Sequence, residues 1–240
     1  MLLMGRKITF SQGEFYHLYN RGIEQRVIFQ DDNDHKRFVA LLSLSNTTSV
    51  VNFGEHFQFG GTYAQLFDVQ DDPLVAIGAY CLMPNHFHVL VKEIRKGGIS
   101  AFMHKLATAY SMYFNAKYSR KGRLFEGTFC ARHVADDNYL KYLFAYIHLN
   151  PVKIVEPGWK KYQITDRTRA KKFVATYPYS SFLDYVPKMR IENRIISRHE
   201  FPDYFDKKGD FESYLNDWLN FSEHDLIKKA KPLQRLNTKG

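Results

Sequence analysis

A nine-residue apolar run, Val75–Met83, constrains the fold most strongly, because a second patterned segment follows it at once. Pro84 and Asn85 separate this run from residues 86–92, and a Pro-Asn pair between two such segments is typical of a tight turn. The run is too short to cross a membrane, which takes about 20 residues, whereas its length suits a buried strand. The two segments therefore predict a β-hairpin whose first strand is buried.

Further strands and helices are predicted on both sides of this hairpin. Residues 14–20 alternate apolar and polar side chains, which predicts a strand. Apolar residues at helical spacing predict helices over residues 31–42, residues 100–117 and residues 137 to about 150, where Pro151 ends the last one. Residues 124–134 are predicted to form another strand, and residues 211–221 an amphipathic helix.

The order of these elements is strand, helix, two strands, helix, strand and helix. It indicates an α+β fold with one mainly antiparallel sheet and helices on one side. We expect residues 1–185 to form the main domain, with an inserted loop or hairpin over residues 45–73. Residues 186–240 are expected to form a helical C-terminal extension whose role the sequence does not indicate.

Positive charge is concentrated in the middle of the chain. The 34 Lys and Arg exceed the 25 Asp and Glu, which gives a net charge of +9. Residues 92–134 hold nine basic and two acidic side chains, so they account for +7 of this charge, and aromatic residues lie between them. Lys and Arg neutralise phosphates while aromatic rings stack on bases, so this stretch predicts binding to nucleic acid.

Nothing in the sequence indicates secretion or a membrane. The two cysteines, Cys81 and Cys130, form no CxxC pair, so a disulfide framework is not expected. The start of the chain, MLLMGRKITF, has no apolar stretch long enough for a signal peptide. We therefore expect a cytoplasmic protein without a membrane partner.

Two histidines on the second strand of the hairpin are candidates for chemistry. His86 and His88 flank Phe87, and side chains two apart on a strand lie on the same face. Their imidazoles should therefore lie side by side while Phe87 enters the core. Two such imidazoles can bind one divalent metal if a third ligand is available. Taken alone, the pattern fits ordinary strand histidines better than a metal site.

The helix predicted before Pro151 carries a second set of candidates. Tyr142, Tyr146 and Asn150 recur every four residues, so they lie one above the other on one face of the helix. A phenol and a carboxamide thus project from the same side. Taken alone, Asn150 fits a helix C-cap and Tyr146 an amphipathic boundary residue.

Both sets belong to segments that resemble a known family. CLMPNHFHVLVK (residues 81–92) and YIHLNPVK (residues 146–153) resemble the two signature blocks of the HUH single-tyrosine, insertion-sequence-200-like transposases. Within that family the chain is most similar to the REP-associated tyrosine transposase branch. YNRG (residues 19–22), GRLFEGTF (residues 122–129) and YPYSS (residues 177–181) also resemble that branch and occur in the same order.

The resemblance implies a ferredoxin- or RRM-like antiparallel sheet and a DNA transposase with a tyrosine nucleophile. It makes His86, His88 and Asn150 the metal ligands and Tyr146 the nucleophile, which would form a 5′-phosphotyrosine. We expect Mg²⁺ or Mn²⁺ as the metal and single-stranded or hairpin DNA as the substrate. The basic residues expected to contact DNA are Arg21, Lys105, Arg120, Lys121, Arg123, Arg132 and Lys153.

Two alternatives stay open at this point. One is a domesticated single-stranded nucleic-acid-binding protein that no longer catalyses, and the other is a nicking initiator of the rolling-circle type. The sequence does not identify the hairpin or repeat that is recognised. Both a monomer and a homodimer stay open, because relatives occur in both forms.

Overall fold

Four strands form one antiparallel sheet in the part of the chain that is described. The structure is a computed structural model, and it describes residues 8–49, 60–68, 72–159, 164–205, 207 and 209–219. The strands are β1 (Phe15–Arg21), β2 (Val75–Met83), β3 (His86–Glu93) and β4 (Cys130–His133). They lie in the order β2–β3–β1–β4, and every neighbouring pair is antiparallel.

Two long helices alternate with these strands along the chain. Helix α1 (Asp32–Leu44) follows β1, and helix α2 (Gly98–Lys117) follows β3. The resulting order, strand, helix, strand, strand, helix, strand, is that of a ferredoxin-like fold. The predicted α+β fold is confirmed, and the hairpin β2–β3 has nearly the predicted limits.

Helices cover both faces of the sheet, so the prediction that they lie on one side is wrong. α1 and α2 pack on one face. There the ring centroid of Phe87 on β3 is 4.8 Å from that of Phe38 on α1. Helix α3 (Asp137–His148) packs on the opposite face, against Leu90 and the neighbouring side chains of β2. The physical reason is that β2 is buried along its whole length. An unbroken apolar strand needs cover on both sides, as strands of two-sided sheets do.

Side-chain caps fix where α1 and α3 begin. The carboxylate of Asp31 accepts a hydrogen bond from the Asp34 amide, and that of Asp136 accepts one from the Tyr139 amide. Each satisfies a backbone donor that the first helical turn leaves without a partner. α3 ends at His148, two residues before the predicted end, and a short helix α4 (Val152–Val155) follows Pro151.

The strand predicted over residues 124–134 is shorter in the structure, where only β4 is regular. Leu124 and Phe125 are consecutive, yet both are buried in the same core as Phe87. Neighbouring side chains of a strand point to opposite faces, so the chain cannot be a regular strand at this point. It contacts the end of β1 through single hydrogen bonds, such as that from the Glu126 amide to the Arg21 carbonyl.

The outer edge of β2 is covered by the segment that contains the YPYSS block. The Leu82 amide donates to the Tyr179 carbonyl at 2.9 Å, and the Ser181 amide donates to the Tyr80 carbonyl at 3.0 Å. Farther along the edge, the Ser197 amide donates to the carbonyl of Ile77 at 2.9 Å. Residues 179–197 thus use the hydrogen-bonding groups that an edge strand would otherwise expose.

The two segments with the weakest sequence signals contain short helices. Of residues 45–73, the described part includes one 3-10 helix, Ala64–Phe67, while residues 50–59 and 69–71 lie outside the described residues. Of residues 186–240, the described part includes 3-10 helices Ile191–Ile195 and Arg198–Glu200, and a helix, Asp210–Leu219, close to the one predicted.

The remaining helices are short. Besides α4, the described residues contain α5 (Arg167–Thr176), α6 (Phe182–Tyr185) and the helix just mentioned, which we name α7. None of the helices in the described ranges is long and apolar enough to span a membrane. The domain boundary at residue 185 stays a prediction.

Candidate active site

His86 and His88 lie on the face of β3 that α3 covers. Their ring centroids are 5.1 Å apart, and Phe87 between them enters the opposite core, as the strand alternation predicts. The strand pairing sets Arg21 beside His86 and Tyr19 beside His88 on β1. The two imidazoles are therefore neighbours at the start of β3, one of the two central strands of the sheet.

Each of the two imidazoles is held by a hydrogen bond at Nδ1. The Nδ1 atom of His86 lies 2.6 Å from Oδ1 of Asn85, and the Nδ1 atom of His88 lies 2.9 Å from Nε2 of His17. Because an amide oxygen only accepts, Nδ1 of His86 carries the proton in the first pair. Histidines that bind metals are normally held in this way at the nitrogen that does not bind the metal.

A backbone hydrogen bond fixes the Pro84–Asn85 turn, which precedes β3, to the end of β1. The Gly22 amide donates to the carbonyl of Asn85 at 2.9 Å. A Cβ atom at Gly22 would lie 2.3 Å from the carbonyl oxygen of Arg26, so a larger residue does not fit here. The YNRG block therefore helps to position the turn that holds His86.

Helix α3 brings Tyr146 over these histidines. The Tyr146 ring centroid is 5.6 Å from that of His88 and 5.8 Å from that of His17, with both pairs nearly perpendicular. Tyr146 is half-buried and lines a cleft of about 430 Å³. Besides Tyr146, the cleft is lined by residues that include Tyr19, Arg21, His86, His88 and Lys153.

The side chain of Asn150 is buried behind the cleft and is not part of its lining. Its Nδ2 donates to the Tyr146 carbonyl at 2.9 Å, and its Oδ1 accepts a hydrogen bond from Lys153 Nζ at 2.9 Å. The first contact satisfies a carbonyl of the last helical turn, which is what a residue at a helix end does. In this arrangement Lys153, and not Asn150, reaches the cleft beside Tyr146.

Three further tyrosines of α2 and α3 lie in packed surroundings. Tyr142 is buried, and its ring centroid is 5.1 Å from that of Trp218 of α7. Tyr139 stacks on Tyr142 at 5.9 Å, and burial raises the pKa of its hydroxyl. On α2, the hydroxyl of fully buried Tyr110 donates to the Ile28 carbonyl at 2.5 Å. Among these tyrosines only Tyr146 opens on the cleft.

Three of the basic residues expected to contact DNA lie on the cleft face of the sheet. Arg21 and Lys153 line the cleft, and Nε of Arg21 lies 3.2 Å from a carboxylate oxygen of Glu126. Arg132 is exposed on β4 and interacts with the hydroxyl of Tyr19, which also lines the cleft.

The other four basic residues lie in α2 or the loop after it. Lys105 belongs to α2 on the opposite face, where its Nζ donates to the carbonyls of Thr47 and Ser49 at 2.5 and 2.6 Å. Arg120 donates to the Asn115 side chain at 3.1 Å. Lys121 and Arg123 are exposed beside Arg120. The structure therefore does not bring all seven predicted residues to one surface.

His17 is a site residue that the sequence analysis missed. It belongs to the alternating segment of β1, and its side chain lies on the same face as Tyr19. The alternation indicates this shared face, but it does not indicate that β1 pairs with β3. Without that pairing, nothing in the sequence places His17 against His88.

His148 ties the helix that carries Tyr146 to the YPYSS block. Its ring is fully buried, with Nδ1 2.7 Å from the Phe144 carbonyl oxygen and Nε2 2.7 Å from the Ser181 hydroxyl. The Ser181 hydroxyl also accepts a hydrogen bond from the Tyr80 amide at 2.9 Å. α3, the YPYSS block and β2 are thus joined by one chain of hydrogen bonds.

Protonation of His148 should destabilise the fold in mild acid. Burial lowers its pKa to about 4, whereas an unfolded histidine titrates near 6.5. The unfolded chain therefore takes up a proton first as the pH falls, and the stability present above pH 6.5 is lost on the way to pH 4. We expect the free energy of unfolding to fall by about 2 kcal/mol between pH 7 and pH 5 from this group.

Denaturant unfolding at both pH values measures this effect. In His148→Gln the loss between pH 7 and pH 5 should be smaller than in the wild type. His104→Gln, which changes an exposed histidine of α2, should keep the full loss. An equal loss in all three proteins would exclude His148 as the cause.

One comparison with known proteins, that with models of protein families, agrees with the resemblance in the sequence. Residues 63–150 match the model of the family described as "Transposase IS200 like". A solved structure of a REP-associated tyrosine transposase bound to a REP hairpin is similar at 15% sequence identity and a TM-score of 0.47, covering 84% of this chain and 89% of that one. A comparison with curated proteins gives no match.

The family match spans β3 and α3, two of the elements that line the cleft, but not β1 or Lys153. It includes His86 and His88 on β3, Tyr146 on α3, and Asn150 at its last position. The resemblance that the two sequence blocks indicate is therefore confirmed: residues 63–150 are similar to the IS200-like transposases.

Proposed function

We propose that this chain cleaves and rejoins single-stranded DNA with Tyr146 as the nucleophile. The observation that carries the proposal is the position of the Tyr146 ring, 5.6 Å from that of His88, in a cleft lined by both residues. Two other tyrosines support it by contrast, because Tyr142 and Tyr110 are buried. The family match supports the reaction class, because it covers both His88 and Tyr146.

The reaction exchanges one phosphodiester bond for another. The hydroxyl of Tyr146 loses its proton and its oxygen attacks the phosphorus. The bond from phosphorus to the 3′ oxygen breaks, and the 3′ oxygen takes up one proton, so that no net proton is gained or lost. The products are a 5′-phosphotyrosine on the protein and a free 3′-hydroxyl. Attack of a 3′-hydroxyl on the phosphotyrosine reverses the step, so rejoining needs no nucleotide cofactor.

The donor groups beside Tyr146 fit a divalent metal. In the described part of the chain, no three His, Cys, Asp or Glu side chains are placed to hold a metal ion together. The ligands that we propose are therefore the two histidines and the amide oxygen of Asn150. His86 and His88 would bind through Nε2 and Asn150 through Oδ1, once Lys153 releases that oxygen. Phosphate and amide oxygens suit Mg²⁺ or Mn²⁺ better than Zn²⁺. Such a metal would offset the charge of a phosphate oxygen and orient it.

Lys153 is suited to contact the scissile phosphate. Its ammonium lies 5.9 Å from the centroid of the Tyr146 ring and lines the same cleft. A lysine that leaves Asn150 for a phosphate would make the amide oxygen available at the same time. Phosphate binding by Lys153 and metal binding by Asn150 would then support each other.

A single strand is the substrate that this site favours. The cleft lies between α3 and the sheet, and a duplex would hide the scissile strand from a nucleophile held there. Arg132 and Lys153 can contact backbone phosphates, while Tyr19 offers an aromatic surface to a base. We propose a single-stranded segment beside a hairpin as the substrate.

Binding to single-stranded DNA should depend strongly on salt. If about six phosphates are neutralised, log affinity against log salt should have a slope near −4, at roughly −0.7 per contact. Arg132→Gln should make the slope less steep by about 0.7. Lys105→Gln should leave it unchanged, because Lys105 is bonded to two carbonyls on the other face. Titrations over a range of salt concentrations measure all three slopes.

Two outcomes would contradict this picture. A wild-type slope near zero would mean that phosphate contacts do not drive binding. An equal effect of Lys105→Gln and Arg132→Gln would mean that DNA does not follow the cleft face.

A nicking assay on an end-labelled hairpin oligonucleotide tests the proposed function. With Mg²⁺ or Mn²⁺, a 3′-end label should become attached to the protein, and a 5′-end label should leave on a fragment with a 3′-hydroxyl. Attachment of the 5′-end label would contradict the 5′-phosphotyrosine. Tight binding without cleavage would favour a DNA-binding protein that no longer catalyses, and cleavage without rejoining would favour a nicking initiator.

A further inference from the structure

The imidazole of His17 is buried beneath the cleft, in direct contact with His88. Only 4% of the residue is exposed, and its ring stacks on that of His88 with centroids 5.0 Å apart and planes at 28°. Nε2 of His17 lies 2.9 Å from Nδ1 of His88. Burial, stacking and the hydrogen bond together fix the plane of the His88 ring.

The same ring also contacts the nucleophile. The Tyr146 ring meets His17 nearly edge-on, with centroids 5.8 Å apart and planes at 74°. His17 does not line the cleft, so a bound DNA strand would not touch it. Any effect of His17 on the reaction therefore acts through the side chains it contacts, which include His88, Tyr146 and Tyr19.

We infer that His17 is a positioning residue that holds His88 with its Nε2 atom ready to bind the metal. The inference deepens the proposed function and rests on it. A single proton lies between His17 Nε2 and His88 Nδ1. When His88 donates this proton, the lone pair of its ring is at Nε2, which is the atom that a metal needs. When His17 donates instead, neutral His88 carries its proton on Nε2 and cannot bind a metal there.

Metal binding at His88 therefore requires His17 to accept the hydrogen bond. A side chain without an acceptor at this position would leave a buried N–H group of His88 without a partner. It would also free the ring to rotate about its last torsion angle, which has broad minima. Both effects weaken metal binding without changing any metal ligand.

Metal affinity of the full-length protein tests this role. We would measure Mn²⁺ binding by electron paramagnetic resonance for the wild type, His17→Leu and His17→Gln. Leucine removes the acceptor, whereas glutamine keeps an oxygen that can accept from His88. His17→Leu should bind Mn²⁺ about 10- to 100-fold more weakly, as loss of such supporting contacts does elsewhere. His17→Gln should recover most of the affinity.

The control is His133→Gln, which changes an exposed histidine of β4 that pairs with Glu14. It should bind Mn²⁺ like the wild type. Unfolding in denaturant without metal shows whether each variant is folded. If His17→Leu does not fold, ring nitrogen NMR of the wild type with Mg²⁺ decides, and His88 should carry its proton on Nδ1.

The outcomes separate this inference from the proposed function. Wild-type Mn²⁺ affinity in His17→Leu would overturn the inference and leave the proposed function intact. So would an equal loss of affinity in His17→Gln and His17→Leu, or an Nε2 proton on His88 in the Mg²⁺-bound protein. A wild-type protein that binds no Mn²⁺ would instead overturn the proposed metal site, and the inference with it.

Discussion

Replacing Tyr146 by phenylalanine is expected to abolish the covalent adduct between protein and DNA. The change removes only the hydroxyl oxygen that would bond to phosphorus, while the ring keeps its contacts with His17 and His88. Removing a covalent nucleophile can lower turnover by about 10⁶-fold. We therefore expect adduct formation, measured on a denaturing gel with 3′-end-labelled DNA, to fall by at least about 10⁴-fold.

The matched control lies one turn earlier on the same helix. Tyr142→Phe makes the same chemical change in a ring whose centroid is 5.8 Å from that of Tyr146. Tyr142, however, is buried and packs against Trp218. It should form the adduct at close to the wild-type rate. Both variants should keep their DNA affinity and unfold within about 1 kcal/mol of the wild type, the usual effect of losing one hydrogen bond. Loss of the adduct in Tyr142→Phe alone would identify a different nucleophile.

Replacing His86 by alanine should remove metal-dependent cleavage and leave hairpin binding nearly unchanged. His86 is half-buried in the cleft, so its loss should disturb the core less than the loss of buried His88. Charge stabilisation by a metal is worth several kcal/mol, which corresponds to about 10³-fold in rate. The measurement is the single-turnover cleavage rate at saturating DNA, with the dissociation constant determined separately.

An exposed histidine outside the cleft provides the control for this variant. His104→Ala on α2 should cleave like the wild type. Wild-type cleavage that persists in EDTA would contradict the metal site. A His86→Ala protein that cleaves normally with Mg²⁺ would show instead that His86 does not bind the metal.

The local pattern of the sequence predicts the parts of the fold that depend on neighbouring residues. The limits of β2 follow from an unbroken apolar run that ends at a Pro-Asn turn, and the start of α3 follows from the cap at Asp136. The late start of β4 does not follow, because it depends on Leu124 and Phe125 entering one core together. The unbroken apolar run of β2 could have predicted that helices cover both faces of the sheet. In a strand with one exposed face, apolar and polar residues alternate instead.

In the candidate site, too, local sequence patterns predict some features, and the others depend on tertiary contacts. Strand alternation and helical spacing predict that His86 and His88 share a face and that Tyr146 projects near Asn150. The approach of α3 to β3, which brings Tyr146 to His88, is a tertiary contact that no spacing specifies. The same holds for the hydrogen bond between His17 and His88, and for the one by which Lys153 holds the Asn150 oxygen.

The covered edge of β2 limits how copies of this chain can associate. Exposed strand edges are where sheets of separate molecules join and where aggregation begins. Along β2 the backbone groups of Ile77, Tyr80 and Leu82 are bonded to residues 179–197 of the same molecule. A continuous sheet across two copies would therefore have to form at β4, where Cys130 lines the cleft. Association through strands and entry of DNA to Tyr146 would then compete for one border of the sheet.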